Sequence, residues 1–374
     1  MQFDLSDDQK LLVDTVASFV KKESPVERFR KLRDEDGIGW SRDVMRKMGE
    51  LGWLAIPFSE EAGGLGGSFV DVALILEQLG GALVPEPYLA SIVLGGVALA
   101  HAGNAEQRAQ FLAPAIEGQK TLALAYAEDD GRYDLARVTT RAEKTANGYR
   151  LTGKKRWVLN GHAADAIVVS ARTSGEVAVR KGVGLFVVDR DAVQVDVVRT
   201  MDGHRAAMIT LDVEVADDRR LGDEALPILE QVIDGAAAAS CAEGLGVMSA
   251  ALRLTRDYLS QREQFGVKIG SFQALQHRAV DMFVETELAR GTTILAAIRA
   301  NDSDPRERMR GVSIAKVHLA TGGRLVAQQG VQLHGGIGIT DEADIGLYFK
   351  RMHVLNALFG DEDHHLARVA ATSS

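Results

Sequence analysis

Apolar residues recur along this chain with two different periods, and the change from one to the other divides it into three stretches. Ser6 stands as an N-cap before Leu11, Leu12, Val16 and Phe19 at helical spacing, which predicts a helix over 4–20. A second helix is expected over 41–51, closed by Gly52. Trp53-Leu-Ala-Ile-Pro57 follows, then EEAGGLGGS over 60–68, where two Gly-Gly pairs call for a loop of fixed shape. Stretches 69–79 and 88–102 read as buried helices separated by Pro85 and Pro87, and 104–111 as a short one ending before Pro114. Near Thr121 the period drops to two. Segments 121–127, 136–143, 148–152, 165–171, 183–189, 193–198 and 209–215 read as strands, with Asn147-Gly148 and Asp202-Gly203 as turns. Past Leu226 long helical patterns return over 226–261, 272–301, 306–330 and 344–359, and the last residues read as a frayed tail. The expected fold is α+β and multidomain: an N-terminal helical domain over 1–118, a middle antiparallel β domain over 119–225 and a C-terminal four-helix bundle over 226–374.

Composition narrows the function classes. At 374 residues with 46% hydrophobic and 25% charged residues, the chain has material for two or three packed units. A net charge of −9 provides no basic footprint and counts against nucleic acid as a partner. The only cysteine, Cys241, excludes an internal disulfide and fits a reducing cytoplasm. The first twenty residues are acidic and amphipathic, unlike a signal peptide, and the apolar runs at 89–102 and 235–251 fall short of a clean membrane span. His364 and His365 are adjacent, point to different helix faces and lack a third partner, so no metal site is expected; both are expected at the surface, and Cys241 is expected to pack in the core. Lys154-Lys155-Arg156 reads as a solvated strand end.

Two stretches carry chemistry. Arg262-Glu-Gln-Phe-Gly266 continues through the Gly270 hinge to Phe272-Gln273, offering a forked donor, an aromatic ring and amides beside a helix end, a suitable cradle for a bulky phosphorylated cofactor. Gln332-Leu-His-Gly-Gly336 can present backbone N–H groups at close range because glycine lacks a Cβ. With the opening FDLSDDQ, the EEAGGLGG loop and Trp157-Val-Leu-Asn-Gly161, these motifs resemble the acyl-CoA dehydrogenase family over essentially the full length. Details at Trp40-Ser41, Pro85-Glu-Pro-Tyr88 and Leu358-Phe-Gly-Asp361 are similar to a bacterial branch of heteromeric members, including the small subunit of pimeloyl-CoA dehydrogenase.

The resemblance implies FAD as cofactor and an acyl-CoA thioester as substrate. It also implies α,β-dehydrogenation, electrons passed to an electron-transfer flavoprotein, and a homo- or heterotetramer. It assigns Trp157 and Leu159 to the border of the flavin ring. Arg262, Gln264, Phe265 and Gln273 go to its ADP portion, and Gln332, His334, Gly335 and Gly336 to the second cradle. Leu159 stands where relatives carry a hydroxyl, and Ala127-Glu-Asp-Asp-Gly-Arg-Tyr-Asp134 replaces a Thr-Glu-Pro loop. The usual positions of the catalytic carboxylate correspond to Phe359 and Ala236, neither an acid. Glu243, seven residues or about two helical turns beyond Ala236 on the same face, is the preferred substitute. Asp361 is the other, and a partner chain that supplies the acid is the alternative. The acyl group, whether dicarboxylyl, fatty or steroid side chain, stays open.

Overall fold

The computed structural model describes residues 5–222 and 225–372. The helix start at residue 4 and the last two residues of the expected tail lie outside the described residues. Helices run, in chain order, α1 Asp7–Glu23, α2 Val26–Asp34, α3 Arg42–Glu50, α4 Phe69–Gly81, α5 Val97–Ala102, α6 Ala105–Gln107, α7 Ala113–Ile116, α8 Leu226–Gln261, α9 Gln273–Arg299, α10 Pro305–His318, α11 Arg324–His334, α12 Ile345–Ala357 and α13 Glu362–Thr372. Wider π-type turns over Tyr88–Gly96 lead into α5, and others over Leu319–Gly323 join α10 to α11. The strands are β1 Leu122–Ala125, β2 Arg141–Lys144, β3 Gly148–Leu159, β4 Ala166–Arg172, β5 Val183–Asp189, β6 Gln194–Arg199, β7 Arg205–Ala216, β8 Arg220–Leu221, and the short pair β9 Glu263–Gln264 and β10 Val267–Lys268. Ser6 caps α1 through a reciprocal capping box with Gln9, and Ser41 caps α3. By packing, the described residues form two compact units.

One unit gathers 35–68 and 85–236. Its sheet runs in the order β6-β7-β3-β2-β4-β5-β8, with β1 beside β4. The sheet is mostly antiparallel as expected, but β1 pairs with β4 in parallel. Its sequence, LALA, is buried throughout, and a strand covered on both faces reads as a continuous apolar run without alternation. The expected 136–143 strand shrinks to β2, because 136–140 wraps around the guanidinium of Arg172, which donates to the carbonyls of Ala136 and Val138. The core of the sheet is built from Leu151, Val158, Ile167, Val169, Phe186 and Ile209. Strand β3 is regular against β7 up to Lys155 and resumes at Val158, so Arg156 and Trp157 form a bulge.

The other unit gathers, among the described residues, 5–34, 69–84 and 237–372. Helix α9 packs on α10 and α11, α10 on α13, and α11 on α12, and the helices α2 and α13 escape the sequence reading. Gly80 and Gly246 let α4 and α8 touch backbone to backbone: a Cβ on Gly80 would strike the Glu243 carbonyl, and one on Gly246 the Glu77 carbonyl. Helix α8 is long and apolar enough to cross a membrane, yet 89% of its apolar window is buried, the mark of a core helix.

Candidate functional site

In the bundle unit, α8 ends at Gln261 and the chain turns through a two-residue hairpin whose tip is Phe265-Gly266. Both tip residues have positive φ, 56° and 78°, the pattern of a tight primed turn. Lys268 pairs with Glu263 across the hairpin at 2.6 Å. At the tip Phe265 is 91% exposed, and its ring meets the edge of Phe272 at 6.2 Å between centroids. Such a large apolar ring held in water by a rigid turn is prepared for contact with something else. Arg262, Gln264 and Gln273 are exposed around it, and the Arg262 guanidinium makes no ion pair among the described residues.

The Gln332–Gly336 stretch lies at the end of α11, which is tied to the two helices flanking that hairpin. Tyr258, one turn before Arg262, stacks on the His334 ring at 4.5 Å, and Arg278 donates to Gln329 at 2.6 Å. The His334 Nδ1–H donates to the Gly330 carbonyl at 2.7 Å, and burial keeps this imidazole below its ordinary pKa. His334 is therefore a buried brace rather than a presented ligand. Gln332, Gly335 and Gly336 are exposed, and a Cβ on either glycine would meet nothing within 4 Å. The space in front of both backbones is open, with Gly335 at φ 63°. Exposed fork, aromatic tip and bare glycine backbone together suit the ADP portion of a dinucleotide.

In the sheet unit, Trp157 stands on the β3 bulge with φ 52° and its indole 57% exposed, while Leu159 is half-buried. The residue two before it corrects the sequence reading. Lys155 is fully buried, not solvated, and its Nζ donates to Glu128 Oε1 at 2.7 Å and Ser170 Oγ at 2.9 Å. Glu128 is buried with it and accepts from the Thr139 and Thr140 backbones. Burial works against this carboxylate, but the Lys155 charge and the hydrogen bonds outweigh it and hold it down to about 2. The period of β3 carried the signal: Lys155 shares the inward face with Leu151.

The candidate bases sit in the bundle unit. Glu243 is buried in α8, as expected, but Arg351 on α12 grips it: Nε donates to Oε1 at 2.7 Å and Nη2 lies 2.6 Å from the same oxygen. Phe359 is buried at φ 62° and Gly360 follows at φ 126°. Fully buried Lys316 donates to the Leu355 and Leu358 carbonyls at 2.7 and 2.8 Å. From the other side, His365 Nε2 donates to the Phe359 carbonyl at 3.2 Å, and its Nδ1 accepts from Ser313 at 3.0 Å. His365 is thus a core residue, not a surface one, and burial with the Lys316 charge pushes it down to about 2. Cys241 is buried, which pushes its thiol up to about 12 and leaves it inert. Asp361 caps α13, accepting from the His364 N–H at 3.0 Å. Neither Arg351 nor Lys316 stands out along the chain, because their partners are 108 and 39 positions away. Among the described residues no cluster of ligands could hold a metal ion.

One face of α9 is uncovered in the monomer. Val280, Phe283, Val284, Leu288, Leu295 and Ile298 form an exposed stripe at helical spacing. Beside it a groove of about 450 Å³ runs between α8 and α9, walled by Leu252, Val280 and Phe283 and edged by Arg253 and Arg256.

Comparison with known proteins gives a consistent picture. The family models of the acyl-CoA dehydrogenase N-terminal, middle and C-terminal domains match residues 6–119, 123–213 and 226–373. The acyl-CoA dehydrogenase IpdE2 of Mycobacterium tuberculosis is 32% identical over 352 residues, covering 93% of this chain and 91% of the relative. Among solved structures, the ChsE4-ChsE5 complex from Mycobacterium tuberculosis superposes with a TM-score of 0.89 at 28% identity, covering 99% of this chain and 98% of that one. A chain from the structure described as the electron transferring flavoprotein of Acidaminococcus fermentans superposes at 0.91 with 28% identity, covering 100% and 99%.

Proposed function

The chain belongs to the acyl-CoA dehydrogenase family, oxidoreductases acting on acyl-CoA, and on that premise we propose that it is one subunit of a heteromeric, FAD-dependent dehydrogenase. In this reading it contributes part of the flavin site while a homologous partner chain supplies the catalytic carboxylate. The observation that carries this reading is the pairing of a fully presented cradle with an acid that is not available. Phe265 projects into solvent at a fixed hairpin tip, whereas Glu243 is engaged by Arg351 and the other two positions are Ala236 and Phe359.

The residues fit FAD. Arg262, Gln264, Phe265 and Gln273 would hold the ADP portion, whose binding across a subunit boundary explains why the hairpin faces outward. Gln332, Gly335 and Gly336 would approach it with side-chain amide and backbone N–H groups, His334 keeping that backbone in place. Trp157 and Leu159 would border the ring. When bound, FAD supplies the hydride acceptor that desaturation of an acyl thioester requires. The complementary proton has to leave the α-carbon for a carboxylate sheltered from water, and a carboxylate clasped by a guanidinium is poorly suited to receive it. The α9 stripe supports assembly, because an apolar face of this size is covered in a stable oligomer. Cytoplasmic location, with an electron-transfer flavoprotein as acceptor, completes the reading.

The test is co-purification. Expressed alone, the chain should carry much less than one flavin per chain; expressed with a homologous dehydrogenase subunit, it should form a yellow heteromer that acyl-CoA bleaches. A homotetramer with one flavin per chain, bleached by acyl-CoA, overturns the proposal.

A further inference from the structure

The bulge that presents Trp157 is held from several directions, and its supports lie in the loop 126–134. Arg156 N–H donates to the Ala127 carbonyl at 2.9 Å, and its Nη2 reaches Asp129 at 2.5 Å. One residue earlier, Lys155 Nζ binds Glu128 at 2.7 Å and reaches the Tyr126 carbonyl at 3.4 Å. Beyond the bulge, Asn160, itself at φ 57°, donates through Nδ2 to the Leu122 carbonyl at 3.2 Å.

A left-handed backbone at a tryptophan costs free energy and persists only where the surroundings over-determine it. A buried ion pair is also an expensive way to fill a strand's inward face, since apolar residues would pack there at lower cost. What the pair does that apolar residues could not is connect directions. Lys155 fixes the strand side, and Glu128, tied to the Thr139 and Thr140 backbones, fixes the loop side. The two residues that loop out between Lys155 and Val158 then have a single path, with the indole outward.

The geometry points to Lys155 and Glu128 as positioning residues: their buried pair holds the bulge that aims the Trp157 indole at the flavin ring. The inference rests on the flavin reading above, and it names two side chains that are buried behind the bulge.

The chain holds three tryptophans, and Trp40 and Trp53 are buried at 5% and 2% exposure, so they serve as internal controls. The chain is labelled with 5-fluorotryptophan and assembled with unlabelled partner, and its fluorine spectrum is recorded without and with added FAD. In the unsubstituted protein FAD should shift the Trp157 resonance and leave Trp40 and Trp53 in place. In Lys155→Met and Glu128→Gln, the Trp157 line should broaden or split before FAD is added. Its FAD-induced shift should fall at least twofold, with the control resonances unmoved. Unchanged Trp157 behaviour in both variants overturns the positioning role and leaves the flavin reading standing. Absence of any FAD-induced shift at Trp157 in the unsubstituted assembly overturns the flavin reading and the inference with it. Should Lys155→Met collapse the control resonances, Ser170→Ala, which removes one Lys155 partner, carries the same comparison.

Discussion

Removing the Glu243 carboxylate separates a brace from a base. Glu243 and Arg351 side chains are each 11% exposed and joined by two contacts to one oxygen. Glu243→Ala takes away the carboxylate that the buried guanidinium grips, which costs about 3 kcal/mol, the lower end for breaking a buried pair. For a packed unit of this size that is a fall of roughly 6–12 °C in the unfolding midpoint. Glu243→Gln keeps an oxygen facing Arg351, so its cost should be about half. Replacing both partners, as in Glu243→Met with Arg351→Met, should recover much of the loss, since neither charge is then left alone. Thermal unfolding of the four proteins by circular dichroism measures this directly. The same Glu243→Gln variant, assembled with its partner, should keep acyl-CoA turnover within a few-fold of the unsubstituted complex. An unchanged midpoint together with turnover reduced by a thousandfold or more would falsify the assignment and make Glu243 the base.

Gly80→Ala should lower the midpoint by roughly 4–8 °C, because its Cβ meets the backbone of Glu243, which cannot yield as a side chain could; overpacking of this kind costs about 2 kcal/mol. Phe265→Ala should leave the midpoint within about 1 °C, the ring being exposed, yet weaken FAD retention by the assembly roughly tenfold, as expected for one lost base stack. Unchanged FAD retention in equilibrium dialysis would count against the hairpin as a cofactor contact. Glu128 is held down to about 2, below its ordinary range, so the ionised form stabilises the fold; this contribution is complete above the unfolded carboxylate's pKa and is lost as pH falls through the folded value. Urea unfolding between pH 5 and pH 3 should therefore show a shallower loss of stability in Glu128→Gln than in the unsubstituted chain.

Much of the architecture was legible because it is written in local periods. Ser6 with Gln9 and Ser41 place α1 and α3 within a few residues of their observed bounds, whereas the expected 148–152 strand stops seven residues short of the end of β3. Two helices were missed for different reasons: α2 carries a single buried residue, Phe29, in a charged sequence, and α13 hides its one anchor, His365, among polar neighbours. The parallel β1–β4 pairing was not readable, since strand direction is decided by chain crossings rather than by side-chain period. Packing also associates 5–34 and 69–84 with the bundle residues, although they are remote from them in sequence. At the candidate site, arginine, phenylalanine and glycine spacing singled out the stretch proposed as a cradle, and the structure exposes Arg262, Phe265, Gly335 and Gly336. The side chains that hold it were not legible. Lys155, Arg351, Lys316 and His365 are polar residues in the core, and their meaning lies in partners from 27 to 108 positions away or at helix ends.

The central claim is that this chain presents a flavin cradle but no available acid. Reconstituting the homogeneous chain with excess FAD and mixing it anaerobically with a panel of saturated acyl-CoA thioesters tests it most directly, with flavin absorbance followed by stopped flow. The account predicts that the absorbance near 450 nm persists over minutes for every thioester and bleaches only after the partner subunit is added. Bleaching by the chain alone within seconds would contradict it.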